Sequence, residues 1–162
     1  MLALRAAAGD AEAFTSLVRR HERKVRSFLA RVSRGKSVDD LAQETFLKAW
    51  RMAASYRGDG SYEGWLLRIA WRLFLSEMRA RRSKGIGPDF EAAPTVDAAL
   101  KMDLDRALER LEPRERAASL LYFGEGYSHQ EAARILEMPL GTLKSVVIRA
   151  RAKLADYLED NG

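Results

Sequence analysis

Residues 128–151 read SHQEAARILEMPLGTLKSVVIRAR, and this stretch decides the fold. Ser128 followed three residues later by Glu131 is a capping-box signature: the hydroxyl takes an orphan amide of the first turn while the carboxylate reaches back to the cap. A helix starts there and carries Ala132, Ala133, Ile135 and Leu136 as a small packing face. Pro139 cannot extend it, because proline has no N–H to donate and constrains the residue before it, so the helix stops near Leu136. A second helix keeps Leu143, Val147, Ala150, Leu154 and Leu158 on one face at steps of three or four, leaving Thr142, Lys144, Ser145, Arg149, Arg151 and Lys153 to the others. No acidic residue falls between Leu140 and Leu154. Two short helices joined by a tight break, the second offering hydroxyls and amides first and cations after, make a helix-turn-helix equipped to enter a major groove and clamp the flanking phosphates. The competing reading is a helical hairpin with a solvated basic face, and the rest of the chain weighs against it.

The bulk numbers leave room for a second domain. At 162 residues, 47% hydrophobic and 31% charged, the composition is that of an ordinary globular protein, in one domain or two small ones. No apolar run approaches the roughly 20 residues that a bilayer span needs. The first residues, MLALRAAAGDAEAF, meet Asp10 and Glu12 before any signal-like core develops. The expectation is a cytoplasmic protein with no direct membrane insertion. The absence of cysteine rules out disulfides, thiolate catalysis and thiolate zinc sites, and two isolated histidines, His21 and His129, cannot assemble a metal site alone. Neither a metal nor a cofactor is expected. The net charge of +5 points to a polyanionic partner. Residues 1–82 hold 17 Lys and Arg against 9 Asp and Glu, whereas residues 101–162 hold 10 against 11. The basic residues of the near-neutral second half are concentrated on one helix, which favours a docked, oriented contact over diffuse sticking.

Residues 10–33 place Phe14, Leu17, Val18, Val25, Phe28, Leu29 and Val32 at helical spacing, as one helix or two separated by a bend. Gly35 breaks the pattern, and a new helix begins near Asp39 with acids in its first turn, as the helix dipole prefers. In DDLAQETFLKAWRMAASY, residues Leu41, Ala42, Thr45, Phe46, Ala49, Met52 and Ala53 collect on one broad core side. Opposite lie Asp40, Gln43, Glu44, Leu47 and Arg51, with Trp50 at the margin. Leu47 therefore sits in a polar, acid-rich face. A single exposed leucine is common, but beside carboxylates and Trp50 it also has the form of a docking surface with an apolar anchor and a polar rim.

Residues 56–61 form a glycine-punctuated loop, and Ser61 starts the next helix, YEGWLLRIAWRLFLSEMRARRSK. Aromatics in the loop and helix start, beside a row of arginines, suit an unpaired nucleic-acid strand: π faces for bases and cations for backbone. A tryptophan-rich core with a solvated arginine edge fits the same residues. From Ser83 the composition turns to glycine, proline and scattered acids without periodicity, which reads as a flexible linker over residues 83–100. A helix from about Val96 through Leu111 follows, with Leu100, Leu104, Ala107, Leu108 and Leu111 on one side, and Glu112-Pro113 starts another through Tyr122-Phe123. No segment alternates at period two. The fold class is all-α: two small helical domains, residues 1–82 and 101–162, the second containing the helix-turn-helix. The G-x-G fragments lack the rest of a dinucleotide fingerprint, and no nucleophile-elbow, P-loop or paired-carboxylate pattern appears, so no catalytic residue and no small-molecule substrate are expected.

Taken together, the pieces resemble the extracytoplasmic-function (ECF) group of bacterial sigma factors, which keep the second and fourth sigma regions. The marks are Asp39-Asp40-Leu41-Ala42-Gln43-Glu44-Thr45-Phe46 with Trp50; Gly64-Trp65-Leu66-Leu67-Arg68-Ile69-Ala70; Leu111-Glu112-Pro113-Arg114-Glu115-Arg116; and Gly141-Thr142-Leu143-Lys144-Ser145. The resemblance implies that Asp39, Asp40, Gln43, Glu44, Leu47 and Trp50 bind core RNA polymerase. It implies that Tyr56, Arg57, Ser61, Tyr62, Trp65, Arg68, Arg72, Ser76 and Arg79 bind and melt the −10 promoter element, holding an extruded base. Ser128, Gly141, Thr142, Lys144, Ser145 and Arg149 would bind the −35 element as duplex. It also implies an anti-sigma factor that hides these surfaces. Arg72 and Ser76 stand where many relatives have Asn and Asp, and Val146 and Ile148 replace commonly polar or basic residues. Val146 is equally open to contacting a thymine methyl and to simple packing. The alternative is a stand-alone dimeric helix-turn-helix regulator, which would bind a palindromic duplex without polymerase.

Overall fold

The computed structural model describes residues 1–35, 37–85 and 99–161, which form two compact units, 1–90 and 91–162, with no strand among the described residues. The first unit contains α1 (Leu2–Ala7), α2 (Ala11–Val32), α3 (Val38–Arg51), a 3-10 turn (Ala53–Ser55) and α4 (Tyr62–Ser83). The second contains α5 (Ala99–Glu109), α6 (Pro113–Ser119), a π turn (Leu120–Gly124), α7 (His129–Leu136) and α8 (Leu140–Asn161).

In the first unit α2, α3 and α4 pack pairwise, and α1 folds back on α2. Residues 11–32 form one uninterrupted helix, begun by the Asp10 carboxylate accepting the Ala13 amide at 3.1 Å. Its inward residues Val25, Phe28, Leu29 and Val32 are buried where it packs on α3 and α4, as are Leu41, Ala42 and Ala49 of α3 and Leu66, Ile69, Ala70 and Phe74 of α4, while Leu17 is buried with Ala6 and Ala13. Trp71, only 1% exposed, fills the largest core position, and full burial of such a side chain is worth roughly 2–3 kcal/mol. Thr45 is fully buried within α3, yet its hydroxyl donates to the Leu41 carbonyl at 2.7 Å, so nothing polar is stranded there. The helical pattern expected to run to residue 56 stops at Arg51, and Ala53–Ser55 tightens into the 3-10 turn that feeds the glycine loop.

The second unit is organised around α6. Pro113 occupies its first turn, where a missing N–H costs nothing. Arg116 lies inside the unit at 3% exposure and donates to the carbonyls of Leu108 at 2.9 Å, Leu111 at 2.8 Å and Glu109 at 3.4 Å. One guanidinium thereby gathers the carbonyls where α5 ends, that of Leu108 also taking the Leu111 amide at 3.1 Å. The neighbouring Glu115, also buried, accepts from Lys153 of α8 at 2.8 Å. Two expected core positions face out instead: Leu104, mid-way along α5, and Leu158, in the last turn of α8 beyond the core, are each 48% exposed. Val96 to Ala98, assigned to the helix before Leu111, and most of the proposed linker lie outside the described residues.

Candidate partner and nucleic-acid interfaces

The acid-rich side of α3 carries Asp40, Gln43, Glu44 and Arg51 exposed, with Leu47 at 48% and Trp50 at 38% exposure among them. The Trp50 ring leans on Phe14 of α2, centroids 5.0 Å apart. Between the two helices runs an apolar groove of about 530 Å³ lined by Phe14, Val18, Phe46, Leu47 and Trp50. Asp39 sits at its end and is ion-paired with Arg26, which also holds Glu22 at 3.3 Å. The Asp39 hydrogen bond, ahead of Glu22, raises the Arg26 pKa further above its ordinary value. Asp39 thus ties α2 to α3, while Asp40, Gln43, Glu44 and Leu47 point outward. A groove with aromatic and leucine walls under an acidic rim accepts a helix with an apolar stripe and basic flanks. Phe14 and Val18 were not foreseen as part of it, since only the fold brings α2 beside α3.

The glycine loop, residues 56–61, is closed on itself. Gly58 and Gly60 adopt φ of +81° and +78°, a region a side chain would strain, and the Tyr56 hydroxyl donates to the Gly60 carbonyl at 3.2 Å. Ser61 caps α4 by accepting the Gly64 amide at 3.0 Å. Tyr56, Tyr62 and Trp65 form a three-ring cluster with centroids 5.2 to 5.4 Å apart, and His21 closes on Tyr62 at 5.5 Å. Burial, with the nearby Tyr56, pushes the Tyr62 hydroxyl up to about 12. Trp65 is buried beneath the cluster and Tyr62 is half-buried, so these two form the floor of the loop rather than open stacking faces. Tyr56 is half-exposed and Arg57 exposed, and Arg68, Arg72, Ser76 and Arg79 continue along the outer side of α4. His21 and Lys24 reach Glu63 at 4.0 and 3.6 Å, joining α2 to the first turn of α4.

The exposed positions in the first half of α8 include Gly141, Thr142, Lys144, Ser145, Ile148 and Arg149. The Ser145 hydroxyl turns back to donate to the Gly141 carbonyl at 3.1 Å. Val146 is 5% exposed and packs in the core, which leaves it unable to reach a base, whereas Ile148 is 69% exposed. Both halves of the capping box are formed: the Ser128 hydroxyl accepts the Glu131 amide at 3.1 Å, and the Glu131 carboxylate accepts the Ser128 amide at 2.8 Å. Tyr122 stacks on His129 at 4.2 Å, fixing the π turn against the start of α7. Among the described residues, no cluster of three or more His, Asp or Glu side chains could hold a metal ion, and no helix is long and apolar enough to cross a membrane.

Known proteins share these features. Residues 17–84 match the family described as Sigma-70 region 2, and residues 101–154 match Sigma-70, region 4. The ECF RNA polymerase sigma factor SigE of Mycolicibacterium smegmatis is 37% identical over 94% of this chain, which spans 65% of that relative's length. SigM of Mycobacterium tuberculosis, another ECF RNA polymerase sigma factor, is 36% identical over 93% of this chain and 80% of its own. Among solved structures, the sigma factor RpoE in complex with the anti-sigma factor NepR from Bartonella quintana superposes with a TM-score of 0.80 at 29% identity, covering 92% of this chain and 98% of that one. The chain belongs to the extracytoplasmic-function family of RNA polymerase sigma factors and carries regions two and four. These matches support that reading and not the stand-alone dimeric regulator.

Proposed function

We propose that this chain binds core RNA polymerase in the cytoplasm and directs it to a defined set of promoters, with the contacts divided among its three surfaces. Asp40, Gln43, Glu44, Leu47 and Trp50 engage a helical element of the polymerase, Leu47 and Trp50 as desolvated anchors and the acids as the rim; Asp39 acts from behind through Arg26. Tyr56, Arg57 and Ser61 receive the extruded −10 base on the floor made by Tyr62 and Trp65, while Arg68, Arg72, Ser76 and Arg79 follow the strand's backbone. Thr142, Lys144, Ser145 and Arg149 address the −35 duplex, with Gly141 allowing close approach and Ser128 contributing from the start of α7. The chain supplies no bond chemistry; the polymerase does.

The observation that carries this is the paired exposure of Leu47 and Trp50 over an apolar groove with an acidic rim, in the region that matches Sigma-70 region 2. A duplex-binding regulator has no use for that face. RpoE is bound to an anti-sigma factor in the structure that this chain resembles. We infer the same control here, by a partner whose apolar helix fills the groove and excludes polymerase.

The test is in vitro transcription with sigma-free core polymerase on a pooled promoter library. Wild type yields start sites absent with core alone. Leu47→Ala lowers initiation through weaker core binding, by a factor of about 10–30 if it behaves as an interface anchor. Arg149→Ala lowers initiation with core affinity unchanged. Tight sequence-specific binding to duplex DNA without any core-dependent initiation would overturn the proposal.

A further inference from the structure

Helix α1 precedes the region that matches Sigma-70 region 2, yet it lies at the base of the glycine loop. It packs on the 3-10 turn Ala53–Ser55, the segment that enters the loop. At the other end of the loop, Tyr62 packs with Leu2, Ala3 and Phe14 around a small core of Ala6, Ala13 and Leu17, each under 4% exposed. Both ends of residues 56–61 therefore rest on a platform to which α1 contributes.

That platform is latched. Gly9, at φ of +94°, turns the chain between α1 and α2. Arg5 donates to the Asp10 carboxylate at 2.9 Å from Nε, with Nη2 at 2.6 Å, and the Asp10 amide returns to the Arg5 carbonyl at 3.0 Å. Asp10 in turn begins α2. A six-residue helix has no stability of its own in water, so α1 is held by these contacts and by its packing. Above it, the Tyr62 hydroxyl is buried without a hydrogen-bond partner, and only close packing keeps the ring where Tyr56 and Trp65 meet it.

We infer that α1 is a positioning element for single-strand capture: it holds the two ends of the glycine loop so that the loop is ordered before a base arrives. Capture then avoids part of the cost of ordering the loop. The inference rests on the sigma reading and concerns promoter opening, not polymerase binding.

The test uses full-length protein with core polymerase on a promoter found active with wild type, carrying 2-aminopurine within its −10 element. Fluorescence rises when the base leaves the stack. Core affinity is measured in parallel by polarisation of labelled protein. Leu2→Asp with Ala6→Gln releases α1, which faster tryptic cleavage after Arg5 reports. Arg5→Ala loosens it without touching the core, and Arg5→Lys partly restores it. Leu4→Ala, at a position 64% exposed on the same helix, is the control. The expected result is an opening equilibrium reduced on the order of fivefold in the double variant, less in Arg5→Ala, with core affinity and −35 duplex binding unchanged. Unchanged opening with α1 released would overturn the inference. So would parallel losses of opening and core affinity, which mark a general stabiliser. A wild type that gives no core-dependent opening would instead sink the sigma reading beneath it.

Discussion

Arg116→Met separates the two units experimentally. The substitution keeps most of the aliphatic stem and removes the guanidinium that receives the Leu108, Glu109 and Leu111 carbonyls. Leu108 and Leu111 are 5% and 1% exposed, so water does not readily replace the lost donors. The Leu108 carbonyl keeps the Leu111 amide at 3.1 Å, so the Leu111 carbonyl is the one left unsatisfied, at about 1–3 kcal/mol, and with the weakened Leu108 and Glu109 contacts the loss is about 2–3 kcal/mol. A unit of roughly 60 residues has about 3–9 kcal/mol of stability in total, so the loss takes a large share of it. The assay is urea unfolding followed by two signals. All three tryptophans, Trp50, Trp65 and Trp71, belong to the first unit, so their fluorescence reports that unit alone, whereas far-ultraviolet circular dichroism reports both. With a slope of roughly 1 kcal/mol per molar urea for so small a unit, the second unit's circular-dichroism midpoint falls by about 2–3 M while the tryptophan midpoint stays in place. A shift under about 0.5 M would refute the assignment of Arg116 as the group that closes α5. Equal shifts in both signals would refute the independence of the two cores.

Two further outcomes follow from single groups. Ser128→Ala removes the hydroxyl half of the capping box on an eight-residue helix, costing about 1 kcal/mol, and lowers the same circular-dichroism midpoint by about 1 M without moving the tryptophan signal; no shift would mean the box is not closed in solution. Burial, ahead of the other causes, lowers the His21 pKa below its ordinary 6.5, although Glu63 pulls the other way. The folded state then binds fewer protons than the unfolded one, so the stability from neutral His21 is present above about pH 6.5 and is lost as pH falls through the depressed value. The tryptophan midpoint should drop across that window in wild type and stay flatter in His21→Phe; identical pH profiles would remove His21 as the source.

The helix-turn-helix was legible because its signals are local. A capping box, a proline stop and a step of three or four are written in consecutive residues, and each was met by a hydrogen bond or a buried face. The outward face of α3 was legible for the same reason. What sequence could not supply was anything that depends on which helices become neighbours. Phe14 and Val18 read as ordinary core positions of α2 until α3 lies beside them and turns them into a groove wall. Trp65 read equally as a stacking platform and as core, and only the positions of Tyr56 and Tyr62 above it decide for burial. Helix α1 left no signal at all: six residues without a side-chain cap hold together through Arg5, Asp10 and the packing of Leu2, Ala3 and Ala6. Leu104 and Leu158 kept the right spacing, but the period of a helix does not say where the opposing core ends.

Under the proposed function the two units meet DNA by different physical means, and their interiors differ to match. Reading a duplex needs a face that does not change shape, and the first half of α8 is held by its buried side. Leu143, Val147 and Ala150 bury its inner side, and beyond them Lys153 reaches Glu115 at 2.8 Å. Lys153 is half-exposed, so that pair adds little to stability through charge alone. Its effect is geometric, since it ties α8 to α6, the helix whose Arg116 already holds α5. Thr142, Lys144, Ser145 and Arg149 are thereby presented as one rigid set by side chains that never approach a base. Capturing a single base makes the opposite demand, for a loop that can admit a ring. Residues 56–61 meet it with two left-handed glycines over a floor of aromatics, one of which carries a buried hydroxyl without a partner. Substitutions under α8 should therefore weaken −35 binding without relaxing its sequence preference, while substitutions under the loop should change how readily a base enters.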